Sequence, residues 1–179
     1  MISERIIDKY YPVGSPGRVI YLRHCGQVAD LACDIATRLS LPIDMEEVRD
    51  AAMLHDIGIC HTDAPSIECY GSEPYIRHGI IGAEMLRGEG AGEVYARVAE
   101  RHTGAGITAD EVVAQGLPLP MRDYMPETLL ERLVCYADKF YSKSGDMKRK
   151  SLDRVLKSME NISHATLRRF LALHEEFGR

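Results

Sequence analysis

An all-α fold is the prediction for this 179-residue chain, and three observations carry it. Apolar residues recur at three- and four-residue spacing along most of its length, which is the period of a helix with one buried face. Prolines and glycines fall between those stretches and interrupt them. Strand-like alternation is nearly absent. A hydrophobic share of 45% and a charged share of 27% are those of an ordinary globular protein, and 179 residues suffice for one sizeable core.

Ile2, Ile6 and Tyr10 predict a short amphipathic helix over 2–10, before Pro12, Gly14, Pro16 and Gly17 break the chain. A long helix is predicted over 18–40, stopping near Pro42. Asp44 is placed to cap a helix from Glu46 to Ile57, with Glu47 three residues on completing a capping box and Gly58 ending the helix. A loop over 59–73 follows, then helices near 74–87 and 92–102, separated by Gly88, Gly90 and Gly92. That glycine cluster follows no strand, so it reads as a helix–helix turn and not a phosphate loop. A short helix starts near Thr108 and ends at Pro118 and Pro120. Pro126 suits the first turn of a helix running to about 142. Helices near 148–160 and 163–177 complete the set. No repeat, low-complexity tract or interdomain linker is visible.

Six potential metal ligands punctuate these helices in the order His24, His55-Asp56, His78, His102, Asp138. Val28, Leu31 and Ile35 lie four, seven and eleven residues after His24, on its face. Val48, Ala51, Ala52 and His55 form one stripe. His78 shares a face with Ile81, Gly82 and Met85; His102 shares one with Tyr95 and Val98; Asp138 follows Leu130 and Val134. Each of these groups points where its helix is apolar. A lone histidine so placed is more often a hydrogen-bonded core residue than a ligand. Several inward-facing polar groups must all find partners, however, because burying one unpaired costs roughly 1–3 kcal/mol. A shared metal centre would satisfy them together. The Asp56 carboxylate has two oxygens and can hold one ion or bridge two, and six ligands exceed what one ion needs once water takes its share. One or two divalent transition-metal ions are therefore expected. The imidazole-rich set points to iron or manganese.

Other classes are disfavoured. A net charge of −5 gives no general attraction to nucleic acid or an anionic membrane. No apolar run reaches transmembrane length, and the N-terminus lacks a secretory pattern, so a cytoplasmic location is expected. Five cysteines (Cys25, Cys33, Cys60, Cys69 and Cys135) with no Cys-x-x-Cys pair disfavour a disulfide framework or a structural zinc site. Cys60 reads as a loop residue, His164 as a helix-start residue, and His174 as structural although it follows Leu167 and Leu171 on an apolar face. His61, Thr62 and Asp63 read as a polar loop after the His-Asp pair, with reach to substrate or a general-acid role as the alternative. Lys139 follows Asp138, and Arg23, Arg77 and Arg101 each precede a candidate histidine; any of them could clamp an anionic group, though a neighbour lies about 100° around the helix and the arginines read rather as solvated or salt-bridged. Lys143 to Lys150, with four basic residues and one acidic, reads as a solvated face, with attraction of an anionic substrate as the alternative.

Leu54-His55-Asp56-Ile57-Gly58, flanked by Leu22-Arg23-His24 with Val28-Ala29 and by Tyr136-Ala137-Asp138-Lys139, resembles the HDIG form of the HD superfamily of metal-dependent phosphohydrolases. The resemblance covers roughly 18–142 and implies one HD-domain helical bundle over 1–179, with flanking helices at both ends. It implies that His24, His55, Asp56 and Asp138 hold one ion, that His78 and His102 hold a second, and that Asp56 bridges them. Ile59 stands where many members carry lysine. The chain reads His102-Thr103 where the HD-GYP group has paired histidines, and its GYP signature is absent, so cyclic-dinucleotide cleavage is not expected. The expected activity is hydrolysis of a phosphoester or phosphoanhydride in a small nucleotide-like substrate, with Asp56 and Lys139 as catalytic residues. Two alternatives remain: an HD-type di-iron oxygenase with the same ligands, and a non-catalytic sensing module.

Overall fold

A computed structural model describes residues 1–179 and shows nine α-helices with one two-stranded hairpin. The helices are α1 (Ile2–Tyr10), α2 (Pro16–Arg38), α3 (Met45–Leu54), α4 (His78–Gly88), α5 (Glu93–Arg101), α6 (Ala109–Ala114), α7 (Leu129–Asp138), α8 (Leu152–Ile162) and α9 (His164–Phe177). The expected all-α class holds. α2 packs on α3 and α7, α4 pairs with α5, and α8 with α9 forms a hairpin that leans on α7. No helix is long and apolar enough to cross a membrane.

Local chemistry sets the helix starts. Ser15, Asp44, Thr108, Thr128, Ser151 and Ser163 each accept a backbone N–H in the first turn of the helix that follows. Asp44 takes the Glu47 amide at 2.9 Å, whereas the full reciprocal box forms at Thr108 and Glu111. α7 starts at Leu129, later than Pro126 suggested, because Thr128 supplies the cap. α8 likewise waits for Ser151.

The main departure lies around the His-Asp pair. α3 stops at Leu54, and the chain enters a 3-10 turn over Ile57–His61. Gly58 therefore does not end a helix. It allows a close approach: a Cβ there would collide with the His78 carbonyl oxygen and the Gly82 amide of α4. The expected loop at 59–73 contains a small antiparallel hairpin in which Asp63 faces Tyr70 and Ala64 faces Cys69.

Two apolar clusters hold the helices together. One gathers Ile35, Leu133, Val155, Phe170 and Phe177; the other gathers Ile6, Leu54, Ile57, Leu86 and Ala99. Burying side chains of this size contributes roughly 1.5–3 kcal/mol each. α2 feeds both clusters, with Tyr21 and Cys25 in one and Val28 and Leu31 in the other. His24 lies between Tyr21 and Cys25 and one turn before Val28, so the helix that feeds both clusters also carries a ligand.

Candidate metal centre

Three of the four histidines use a carbonyl that their own helical turn leaves free. His55 and His102 follow α3 and α5 directly, where the last carbonyls lack intrahelical partners. Their Nδ1 atoms lie 2.6 Å from Ala52 O and 2.8 Å from Ala99 O. His78 follows the 3-10 turn Tyr75–Arg77 and sets Nδ1 2.7 Å from Tyr75 O. The acceptor is three residues back in every case. A carbonyl only accepts, so each Nδ1 carries the proton and each Nε2 presents a lone pair.

Those lone pairs converge on Asp56. Asp56 Oδ2 lies 3.1 Å from His55 Nε2 and 3.2 Å from His24 Nε2, and Asp138 Oδ1 lies 3.1 Å from the same His24 nitrogen. Asp56 Oδ1 faces the other way, 3.2 Å from His102 Nε2 and 3.5 Å from His78 Nε2. The six side chains form two groups sharing Asp56: His24, His55, Asp56 and Asp138, and Asp56, His78 and His102. Within each group the donor atoms lie within 4.8 Å of one another. All six residues are buried.

These spacings suit cations. Donors bonded at roughly 2.0–2.2 Å to one ion, at tetrahedral or octahedral angles, stand about 3.0–3.5 Å apart. Hydrogen bonds do not satisfy the same atoms. Asp56 Oδ1, His55 Nε2 and both His24 nitrogens are buried without a hydrogen-bond partner, and Asp56 Oδ2 has the Lys143 ammonium alone. Leaving such atoms unpaired is costly, and a bound ion would supply what they lack.

Electrostatics keep four of the donors, His78, His102, Asp56 and Asp138, in the charge state a cation needs. Burial pushes His78 down to about 3, with the neighbouring His102 ring adding to the effect, and burial lowers His102 as well. Both rings are neutral at ordinary pH. Burial opposes charge on Asp56, yet His55 and Lys143 hold its carboxyl well below the usual range. For Asp138, Lys139 and Lys143 outweigh burial in the same direction. Burial also opposes charge on His55, but the Asp56 carboxylate raises its proton affinity well above that of a free imidazole. Protons and cations therefore compete for this ring.

The residues flanking the ligands divide. Lys139 turns inward, donating to His102 O at 2.9 Å and Asp138 Oδ2 at 2.6 Å. The three arginines are occupied elsewhere: Arg23 donates to Asp146 O, Arg77 to Pro118 O, and Arg101 to Met125 O while pairing with Glu127. One step around a helix carries a neighbour about 100° away from the ligand's face. Thr62 is buried with its hydroxyl on Ile59 O, Cys60 Sγ contacts Ile57 O, and His61 is exposed beside Tyr10. His174 sits 2.8 Å from the Tyr136 hydroxyl and stacks over Phe170, outside both ligand groups. His164 opens α9 behind its Ser163 cap.

Sequence reasoning missed Lys143. Its Nζ lies 2.7 Å from Asp56 Oδ2, and its side chain is 18% exposed. It follows the end of α7, where helical periodicity no longer tells which side chains turn inward. Tyr75 was missed too, although it lends His78 its carbonyl and stacks on the ring at 4.7 Å. A cavity of about 580 Å³ opens beside the centre, lined by Tyr75, Asp138, Lys139, Lys143 and Lys150 among others.

The HD domain family matches residues 21–142. An uncharacterized protein of Methanocaldococcus jannaschii is 36% identical over 163 residues, spanning 88% of this chain and 87% of that protein. Two proteins named tRNA (cytidine(56)-2'-O)-methyltransferase are also similar. The one from Picrophilus torridus is 37% identical over 89% of this chain, and the one from Thermoplasma volcanium 33% over 93%. The chain spans only 42% and 45% of those two proteins' lengths. No solved structure matches.

Proposed function

The chain belongs to the HD domain family, a superfamily of metal-dependent hydrolases, and on that premise we propose that it is a phosphohydrolase acting on a phosphoester or phosphoanhydride of a small nucleotide-like molecule. The observation that carries this reading is the sharing of Asp56 between two donor groups. In it, His24, His55, Asp56 and Asp138 hold one ion, and Asp56, His78 and His102 hold a second. Four imidazoles and two carboxylates suit iron or manganese. Bound divalent ions supply a water acidified toward neutral pH and positive charge for the phosphoryl oxygens.

The chain's own residues do the positioning. The carbonyls of Ala52, Tyr75 and Ala99 fix three rings with Nε2 forward. Lys139 braces the Asp138 carboxylate against the His102 carbonyl, so its catalytic contribution in this reading is to hold a ligand while facing the cavity. Overall, the water oxygen bonds to phosphorus, the bond from phosphorus to the leaving oxygen breaks, and the leaving group ends with the proton.

The methyltransferase name borne by two relatives describes proteins of which this chain spans less than half. An HD-type di-iron oxygenase remains the competing reading because the same ligands suit it. A sensing module is disfavoured by the filled ligand positions. The test is a screen of nucleotides, dinucleoside polyphosphates and sugar phosphates with manganese under argon, measuring released phosphate or nucleotide. Turnover without oxygen is expected. Turnover that needs ferrous iron and oxygen would replace this reading with the oxygenase.

A further inference from the structure

Positive charge gathers on the cavity wall beyond what the site's own carboxylates need. Lys139, Lys143 and Lys150 all line the 580 Å³ cavity, and Asp63 is the one acid there besides Asp138. A volume of this size falls within the roughly 300–1,000 Å³ of small-molecule sites. The lysines come from one charged segment that the fold sorts. Lys143 turns in to 18% exposure, while Lys148 stays 81% exposed in solvent.

Charge balance then matters. Asp56 and Asp138 are offset by Lys139 and Lys143 as the side chains stand. A divalent ion at the centre offsets the same two carboxylates and leaves both ammoniums uncompensated. Buried cations without counter-charge are unfavourable, so a metal-loaded cavity calls for an anion. Lys139 is already committed to Asp138 Oδ2 and His102 O. Lys143 has Asp56 as its single ion-pair partner and extends from the non-helical stretch between α7 and α8. Its four-carbon stem can re-aim the charge by a few ångströms.

Resting on the hydrolase reading above, we propose that Lys143 anchors the substrate, its ammonium holding the terminal phosphoryl group of a small phosphate monoester at the Asp138 end of the cavity. Asp138 is the one member of the six-ligand set that lines the large cavity, so the centre is approached along a narrow front. A phosphoryl group at the end of a molecule fits that approach; one inside a polymer needs room on both sides. A monoester is also nearly a dianion at neutral pH, its second pKa being about 6, which matches a cavity whose three lysines outnumber its two carboxylates.

The experiment compares the manganese-loaded full chain with Lys143→Gln, Lys143→Met, Lys143→Arg and Lys148→Ala. Metal content is measured by elemental analysis, inorganic phosphate binding by calorimetry, and turnover with p-nitrophenyl phosphate. Removing a charge-assisted contact should weaken phosphate binding about ten- to hundredfold in the Gln and Met variants. KM should rise by a similar factor, with kcat changed less and metal content unchanged. Arginine should restore most of the affinity, and Lys148→Ala should match the wild type. Wild-type phosphate affinity in a folded, metal-replete Gln or Met variant would overturn the assignment. So would loss of metal in those variants, which would make Lys143 part of the metal site's framework. If the metal-loaded wild type itself neither binds phosphate nor cleaves any ester, the hydrolase reading fails first and the anchor with it.

Discussion

His78 Nε2 lies 3.1 Å from His102 Nε2, and neither nitrogen has a proton to share. Each ring spends its one proton on a carbonyl, Tyr75 O for His78 and Ala99 O for His102. Two lone pairs facing at that distance repel unless a cation lies between them. Asp56 Oδ1 completes the same group. This pair therefore separates a two-ion site from a one-ion site with two core histidines beside it.

His78→Ala should remove one ion and leave the other, because His24, His55, Asp56 and Asp138 remain. Elemental analysis of anaerobically purified protein would show metal falling from about two equivalents to about one. Unchanged metal content in the variant would refute the two-ion assignment. His174→Ala should leave the content alone, since that ring pairs with Tyr136 outside both groups.

Asp56→Ala should empty both positions, because its two oxygens face different groups. Metal content below half an equivalent is expected, with activity falling to background. Retention of a full equivalent would show that the two groups do not depend on this carboxylate.

Gly58→Ala should destabilise the fold and disturb the centre together. The added methyl meets backbone atoms of His78 and Gly82, which cannot rotate away as a side chain can. Overpacking of this kind costs roughly 1–3 kcal/mol. Thermal melting should register the loss, and the ion dependent on His78 should be the one weakened. A melting temperature equal to the wild type's would mean that the approach of the turn to α4 is looser than described.

Glu131 offers a test by pH, away from the centre. It is buried on α7, and Arg97 Nε donates to it at 2.7 Å from α5. Burial favours its neutral form, but Arg97 and the Glu127 amide hold its carboxyl below the 4.5 of an ordinary glutamate. A depressed folded value means that the contribution is present above pH 4.5 and fades as pH falls through the folded value. Glu131→Gln should cost roughly 1–2 kcal/mol near neutral pH. The gap between variant and wild type should close as the solution is acidified below 4.5. A gap that stays constant from pH 7 to pH 3 would rule out the ionised pair as its source.

The sequence by itself determined the helical class and five inward-facing polar residues, because both are written as local spacing. Apolar positions every three or four residues need no tertiary knowledge to read, and His24, His55, His78, His102 and Asp138 each share that phase with their neighbours. The HD domain match over 21–142 agrees with the pattern around Leu54 to Gly58. Other features were out of reach because they arise between segments far apart in the chain. Helix geometry already turned Arg23, Arg77 and Arg101 away from the ligand face, but their partners, Asp146 O, Pro118 O and Met125 O, lie on distant segments. Gly58 looked like a helix stop, and only the packing of its turn on α4 shows that a side chain cannot fit there. Lys143 looked like one charge in a solvated run. Only the path of the chain after α7 brings its ammonium within 2.7 Å of Asp56, because an irregular segment has no period from which its direction can be read.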